Sequence, residues 1–319
     1  MSEDNLNHLS DGIRQIESQF KEKVEPFRSD LWRYCYRLTG SPWDAEDLVQ
    51  DTMLKSLSIL AKLYQPVKTK SYLFRIATNL WIDQLRKGNG RFTLSNYELL
   101  IEDKTTQNDF LVMENLELLI QQLTPIQYVS LLLADVFLFK GKEIAEILNS
   151  SESAVHTNLS RARSTLKQKE KGTIKERSSY IRELKPSETF KVMLKGLRNK
   201  DPNLIISVLD DNIVTDITHS SLEIGLEELK KNSLRDWKEV VDNQNVIVPH
   251  YIELWGRPVI VELEKKEDAQ LYLNNIYFLE ASNTKITYWK YYCFSWDLMN
   301  YAAAELNVKL NAKYFYHIF

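Results

Sequence analysis

The stretch KEIAEILNSSESAVHTNLSRAR (142–163) decides how the first half of this chain reads. Residues 142–148 make a short helix with an apolar face, and Asn149-Ser150-Ser151 is a turn. Ser151 is placed to cap a second helix, along which Ala154, Val155, Leu159 and Ala162 recur at helical spacing as an inward face. A short helix, a tight turn and a second helix with a polar outer face form a helix-turn-helix, whose second helix fits the major groove. The outward residues are Glu152, Ser153, His156, Thr157, Ser160 and Arg161, with Asn158 and Arg163 flanking. Lys167, Lys169 and Lys171 extend the positive charge that seeks phosphate. The competing reading is an ordinary helical hairpin with a solvated basic end.

Upstream, Thr124 before Pro125 signals a helix start. Residues 88–110 are polar and Gly-, Asn- and Asp-rich, as in a flexible linker. Before them lie three helical patterns. Residues 10–38 carry apolar side chains at threes and fours, interrupted at Pro26. After the Gly40-Ser41-Pro42 turn, a second pattern starts at Asp44, with Ala45, Leu48, Val49, Met53, Leu57 and Leu60 along one side. The third runs over 70–87, with Leu73, Ile76, Ala77, Leu80, Trp81 and Leu85.

Two of these helices carry chemistry. In the second, Asp44, Asp47 and Asp51 share a face at i, i+3 and i+7, beside Gln50. An acidic face adjoining an apolar ridge suits a basic protein partner; otherwise the acids only stabilise the helix start. Around the third, Lys68, Lys70, Arg75, Arg86, Lys87 and Arg91 stand against a single acid, Asp83. Tyr72, Phe74 and Trp81 are interleaved. Basic residues track phosphates and aromatics stack on unpaired bases, but Phe74 and Trp81 read as core, and Asp83 as a helix brace.

From about residue 187 the texture changes. Two short helices are expected at 188–199 and 202–210. β-Branched and aromatic runs come after them at 213–215, 246–248, 259–261, 271–278 and 286–294, then a last helix at 297–306. The expected architecture is multidomain: two all-α units over 10–90 and 111–172 joined by a linker at 91–110, then an α+β unit over 187–319 whose helices pack on a curved antiparallel sheet. The apolar tail YFYHIF (314–319) needs a surface to dock on.

Bulk properties bound the rest. The 319 residues carry a formal net charge of −3, so any DNA-binding charge is local. The two cysteines, Cys35 and Cys293, have no metal-ligand spacing and suit a reducing cytosol. The first residues lack the basic and apolar regions of a signal peptide, and no apolar run approaches the ~18–20 residues that span a bilayer. A cytoplasmic protein without membrane contact, metal or cofactor is expected.

The stretch LTPIQYVSLLLADVFLFKGKEIAEILNSSESAVHTNLSRARSTL (123–166) resembles region 4 of the extracytoplasmic-function sigma factors. DLWRYCYRLTGSPWDAEDLVQDTMLKSL (30–57) and SYLFRIATNLWIDQLRK (71–87) resemble region 2 of the same family, in the family's order. The resemblance implies a transcription initiation factor and not an enzyme, with core RNA polymerase and promoter DNA as partners. It implies that Asp44, Asp47, Gln50 and Asp51 face the polymerase clamp. Asn79, Asp83 and Arg86 match the family's spacing. Arg75, Asn79, Arg86, Lys87 and Arg91 would contact the minus-ten element, with a base-binding loop near 88–94. Ser153, His156, Thr157, Ser160, Arg161 and Arg163 would contact the minus-thirty-five element. His156 and Asn158 stand where many family members are basic, which thins the charge of this face.

ETFKVMLKGLRNKDPNLIISVLDDNIVTDI (188–217) resembles the start of SnoaL-like domains, a cone fold with helices over a bent sheet. VIVPHYIELWGRPVIVELEK (246–265) and ITYWKYYCFSW (286–296) suit its later strands. This implies a regulatory domain acting on the sigma core, with a small-molecule ligand or an anti-sigma-like partner. The Tyr and Trp residues of this half line a ligand pocket or, on the competing reading, fill an aromatic-rich core. A cone-fold enzyme would offer Asp216, His219 and His250, with Tyr272, Tyr277 or Tyr288 as donors, but no spacing ties them together. A conventional repressor, binding DNA without polymerase, is the third reading.

Overall fold

The computed structural model describes residues 24–60, 69–87, 123–167, 181–282 and 284–311. The expectations for a leading helix before residue 24, the linker, Arg91 and the loop near 88–94, and the apolar tail lie outside them. The chain divides into two compact units, 1–177 and 178–319.

The first unit is helical. A single 3-10 turn, Glu25–Phe27, leads into α1 (Arg28–Thr39), then α2 (Pro42–Leu60) and α3 (Thr69–Lys87). Gly40 ends α1 in the left-handed conformation (φ 75°), where a residue without Cβ carries no steric cost. The three helices bury Leu31, Leu38, Trp43, Leu48, Val49, Leu73 and Phe74 almost completely. Two polar ties cross this core. The Tyr34 and Thr78 hydroxyls lie 2.7 Å apart, and Lys70 donates to Asp30 at 2.6 Å. Burial acts to raise the Asp30 carboxyl, but its hydrogen bonds to Lys70 and Arg33 outweigh that and hold it below the usual value.

α4 (Pro125–Leu131) opens on a capping box. The Gln127 amide donates to the Thr124 hydroxyl, and the Thr124 amide to the Gln127 side chain. It runs into one π-helical turn, Leu132–Val136, before α5 (Gly141–Leu148) and α6 (Glu152–Lys167). Aromatic side chains join these helices to the first three. Phe137 meets the edges of Tyr34 and Phe74 at 5.3 and 5.2 Å, and Phe139 lies 5.2 Å from Phe74. Trp81 lies 6.2 Å from Tyr128, whose hydroxyl donates to the Arg37 carbonyl.

The second unit is α+β. β1 (Ile181–Glu183), α7 (Glu188–Asn199), α8 (Pro202–Ser207), β2 (Leu209–Ile217) and β3 (Ser221–Ile224) come first. Next are α9 (Leu226–Lys231), α10 (Ser233–Asp242) and four strands: β4 (Val246–Leu254), β5 (Arg257–Lys265), β6 (Leu271–Ser282) and β7 (Lys285–Tyr291). α11 (Trp296–Glu305) and β8 (Lys309–Leu310) complete the described part. The strand order is β1-β4-β5-β6-β7-β2-β3, with β8 on β6. The ladders are antiparallel as expected except for β2–β7 and β6–β8, which are parallel. α8 stops at Ser207 rather than near 210, because the chain enters β2 at Leu209. One cysteine is buried in each unit. Burial pushes the Cys35 thiol well up and the Cys293 thiol up to about 12.

Candidate protein- and DNA-binding surfaces

α2 separates its acids by face. Asp44 and Asp51 are exposed and Asp47 and Gln50 are partly exposed, so the expected row forms one continuous stripe. Glu46, between them in sequence, points the other way. It is wholly buried, with the Arg28 guanidinium 3.7 Å away. Leu54, one turn beyond Asp51, is 61% exposed and extends the stripe with an apolar patch. Sequence reading missed Leu54 because it falls off the apolar row that packs inward. Acids flanking an exposed apolar side chain fit a partner that is basic and apolar together.

α3 sorts its residues the same way. Leu73, Phe74, Ile76, Ala77 and Trp81 face the core. The aromatic rings at 74 and 81 are therefore packed and not offered to bases. Arg75, Asn79, Asp83 and Arg86, spaced four, four and three apart, are exposed on one outer face, with Lys87 exposed beside them. Asp83 braces Arg86 at 3.3 Å. The pair is exposed and contributes little stability, but it orients a guanidinium along the face. Lys70, counted with the basic cluster in the sequence, is instead held by Asp30.

The turn between α5 and α6 has helix-turn-helix geometry. Asn149 closes α5 in the left-handed conformation (φ 50°), and the Ser150 amide donates to the Ala145 carbonyl at 2.9 Å. The Ser151 hydroxyl accepts from the Ala154 amide at 3.1 Å, capping α6 as expected. Val155, Leu159 and Ala162 are buried, while Ser153, His156, Thr157, Ser160, Arg161 and Arg163 are all exposed. The two helices meet closely at Gly141, where a Cβ would sit 3.1 Å from the Glu152 carboxylate and 3.3 Å from the His156 ring. Arg163, expected to face DNA, is instead paired within the protein. It donates to both carboxylate oxygens of Asp135 in the π-helical turn, at 2.5 and 3.4 Å. That bidentate pairing fixes the turn against α6 and leaves Arg161 and Lys167 as the exposed cations of the described helix that face outward.

In the second unit, the residues offered for catalysis do not converge on one cavity. Asp216 accepts from Tyr288 at 2.9 Å and lies 3.5 Å from Lys290, while His250 pairs with Glu183. A cavity of about 630 Å³ opens elsewhere, among β2, β3, α9, α10 and strands β5–β7, and of the residues offered only Tyr277 lines it. Two of its carboxylates, Glu223 and Glu262, are not legible in the sequence. They sit in strands whose inward face is set by register, which no local spacing reveals. Glu262 accepts from Trp237 Nε1 at 3.1 Å and Tyr277 at 3.0 Å. Burial pushes its carboxyl up, and the hydrogen bonds from Trp237, Tyr277 and Asn274 oppose this.

No described helix is long and apolar enough to cross a membrane. Comparison with known proteins bears on the first unit. Residues 24–91 match Sigma-70 region 2 and residues 113–166 match Sigma-70, region 4. Two regions of the sigma-70 family thus match within the first half of the chain, in that order. Curated proteins similar to that half include extracytoplasmic-function RNA polymerase sigma factors. SigG of Mycobacterium tuberculosis is 31% identical over 175 residues, covering 46% of this chain and 47% of that protein. SigW of Bacillus subtilis is 28% identical over 173 residues, covering 49% of this chain and 92% of that protein. The chain therefore spans about half the length of the SigG relative it matches. The crystal structure of the M. tuberculosis sigma factor SigJ aligns over 84% of this chain and 94% of that one, at 18% identity and a TM-score of 0.33.

Proposed function

We propose that this chain is an RNA polymerase sigma factor whose second unit governs its activity. The observation that carries the reading is the outward row Arg75, Asn79, Asp83 and Arg86 on α3, present in the same unit as a capped helix-turn-helix with a polar outer face. In this reading the α2 stripe of Asp44, Asp47, Gln50, Asp51 and Leu54 docks on core polymerase. The outer face of α3, with Arg75, Asn79, Arg86 and Lys87, contacts the minus-ten element, together with Arg91 further along the chain. Ser153, His156, Thr157, Ser160 and Arg161 on α6 read the minus-thirty-five element. Arg163 acts through Asp135, fixing α6 in place. The domain limits that go with these roles are region 2 over 10–90, linker over 91–110, region 4 over 111–172 and a SnoaL-like unit over 187–319. The helices, the largely antiparallel sheet and the cavity among them support the last assignment. Such a protein works in the cytoplasm, where polymerase acts.

The physical logic is a division of labour. Phosphate contacts from exposed cations supply affinity and position, and polar side chains at base edges supply selectivity. With few cations on α6, promoter affinity leans on tethering to polymerase, which raises the local concentration of the helix at its site. Run-off transcription with core polymerase tests the reading directly. Promoter-dependent initiation by the full chain or by residues 1–177 is expected. Its absence from both forms overturns the proposal, and operator binding without polymerase would point to a repressor instead.

A further inference from the structure

The cavity of the second unit has an unusual wall for its size. Its volume, about 630 Å³, lies in the range that accepts a small organic ligand. Four carboxylates line it, Glu223, Glu228, Asp236 and Glu262, and among the described residues no Lys, Arg or His does. Asp236 pairs with Arg235 at the exposed surface, and Arg235 does not reach the wall. The balance inside is therefore acidic, with Trp237, Tyr277 and Tyr291 supplying π faces.

Two atoms in this wall await partners. Glu223 is 8% exposed; its Oε1 accepts from the Ser233 hydroxyl at 2.7 Å and the Ser233 amide at 3.3 Å, while its Oε2 has no hydrogen bond. The Tyr291 hydroxyl, on a residue 4% exposed, has none either. A buried acceptor left bare costs its lost hydration, so a protein that keeps one at a cavity wall gains by filling it. Burial pushes the Glu223 carboxyl up, and the charges of Asp236 and Glu228 add to this. An N–H cation would offset both. Leu222 and Ile224, 62% and 67% exposed on β3, line the same cavity and mark where an apolar body would enter.

We propose that the cavity of the second unit binds a small organic ammonium, a protonated amine on an apolar or aromatic body, with its N–H groups on Glu223 Oε2 and its body against Trp237 and Tyr277. A cation over aromatic faces gains attraction that an anion or a neutral alcohol of the same shape lacks. Complementary charge at a buried wall supplies selectivity more than raw affinity. Binding here goes beyond the sigma reading and does not rest on it: the ligand experiment contains no polymerase and no DNA, and either reading can fail alone.

The test is calorimetric titration of the full chain with phenethylamine, and with 2-phenylethanol and 3-phenylpropionate as neutral and anionic counterparts of matched shape. Saturable binding of the amine alone is expected. Glu223→Gln, which keeps shape and removes charge, is expected to weaken it by about 10-fold or more. A circular dichroism melt confirms that this variant folds. Should it not fold, Leu222→Lys, at an exposed position on the cavity wall, places a competing cation there and is expected to abolish uptake. Equal binding of the carboxylate, no amine binding at millimolar concentration, or undiminished amine binding in a folded variant would each overturn the proposal.

Discussion

Asp51 and Glu46 sit five residues apart on one helix and have opposite fates, one in solvent and one wholly buried. That divergence lets single substitutions separate binding from folding. Asp51→Lys reverses charge on the exposed stripe. It is expected to weaken core polymerase binding by about 10-fold, with a melting temperature within about a degree or two of the parent. Fluorescence anisotropy against labelled core enzyme reads the first and calorimetry the second; unchanged affinity removes the docking assignment. Asp30 gives the pH dependence. Its folded carboxyl lies below the ordinary value, so its contribution is present above the unfolded value near 3.8 and is lost as pH falls through the lowered folded one. Both side chains of the Asp30–Lys70 pair are about a third exposed, so the contribution is discounted to about 1 kcal/mol or less. Asp30→Asn is expected to flatten the acid limb of the stability curve of residues 1–177 below about pH 4, measured by urea titration at stepped pH.

At the level of single helices, α6 makes the sharper forecasts. Arg161→Ala is expected to reduce promoter affinity in the holoenzyme about equally for all sequences and to lower the salt slope by about one, as one lost phosphate contact does. Arg163→Ala is expected to act differently. It breaks the grip on Asp135 and lowers stability by about 1 kcal/mol, with a smaller change in salt slope. Band-shift titrations at several salt concentrations distinguish the two, and equal salt slopes would show that Arg163 also reaches phosphate. These helices were legible beforehand because their apolar spacing and caps are local signals: Thr124 with Pro125, Ser151 and the 155–159–162 row all fold as their spacing implies. β3, α9 and α10 were not read. Residues 226–242 are dominated by charge, and the inward row Leu234, Trp237 and Val241 is short enough to pass for chance. The cavity carboxylates were hidden for a different reason. A glutamate in a strand looks solvent-facing until pairing fixes its side, and Glu262 is placed by the ladders that β5 makes with both β4 and β6.

Across the whole molecule, the division at residue 177 gives two cores with separate stabilities to lose. Glu262→Leu strips the acceptor from Trp237 Nε1 and the Tyr277 hydroxyl, leaving two buried donors bare. It is expected to destabilise the second unit by roughly 2–4 kcal/mol while leaving the melt of residues 1–177 in place. Scanning calorimetry of the full chain and of residues 1–177 checks this, and a concerted loss of both transitions would show a single cooperative fold. The aromatic cluster of Tyr34, Phe74, Phe137 and Phe139 does the same work within the first unit, joining the helix-turn-helix segment to α1 and α3. Sequence reading saw Phe74 as core but had no way to name Phe137 and Phe139 as its partners, since that contact spans more than sixty residues of chain.

The two cysteines also provide a clock in each half of the molecule. Cys35 lies at the centre of α1 with no exposed surface, and Cys293 stands at the cavity wall with 7% exposure. Both thiols are held in the protonated, unreactive form. A thiol reagent therefore labels each at the rate its own surroundings open, so one peptide map taken over time records the breathing of the two halves independently in the unmodified chain. An occupant in the cavity would slow the second clock and leave the first running at its former pace.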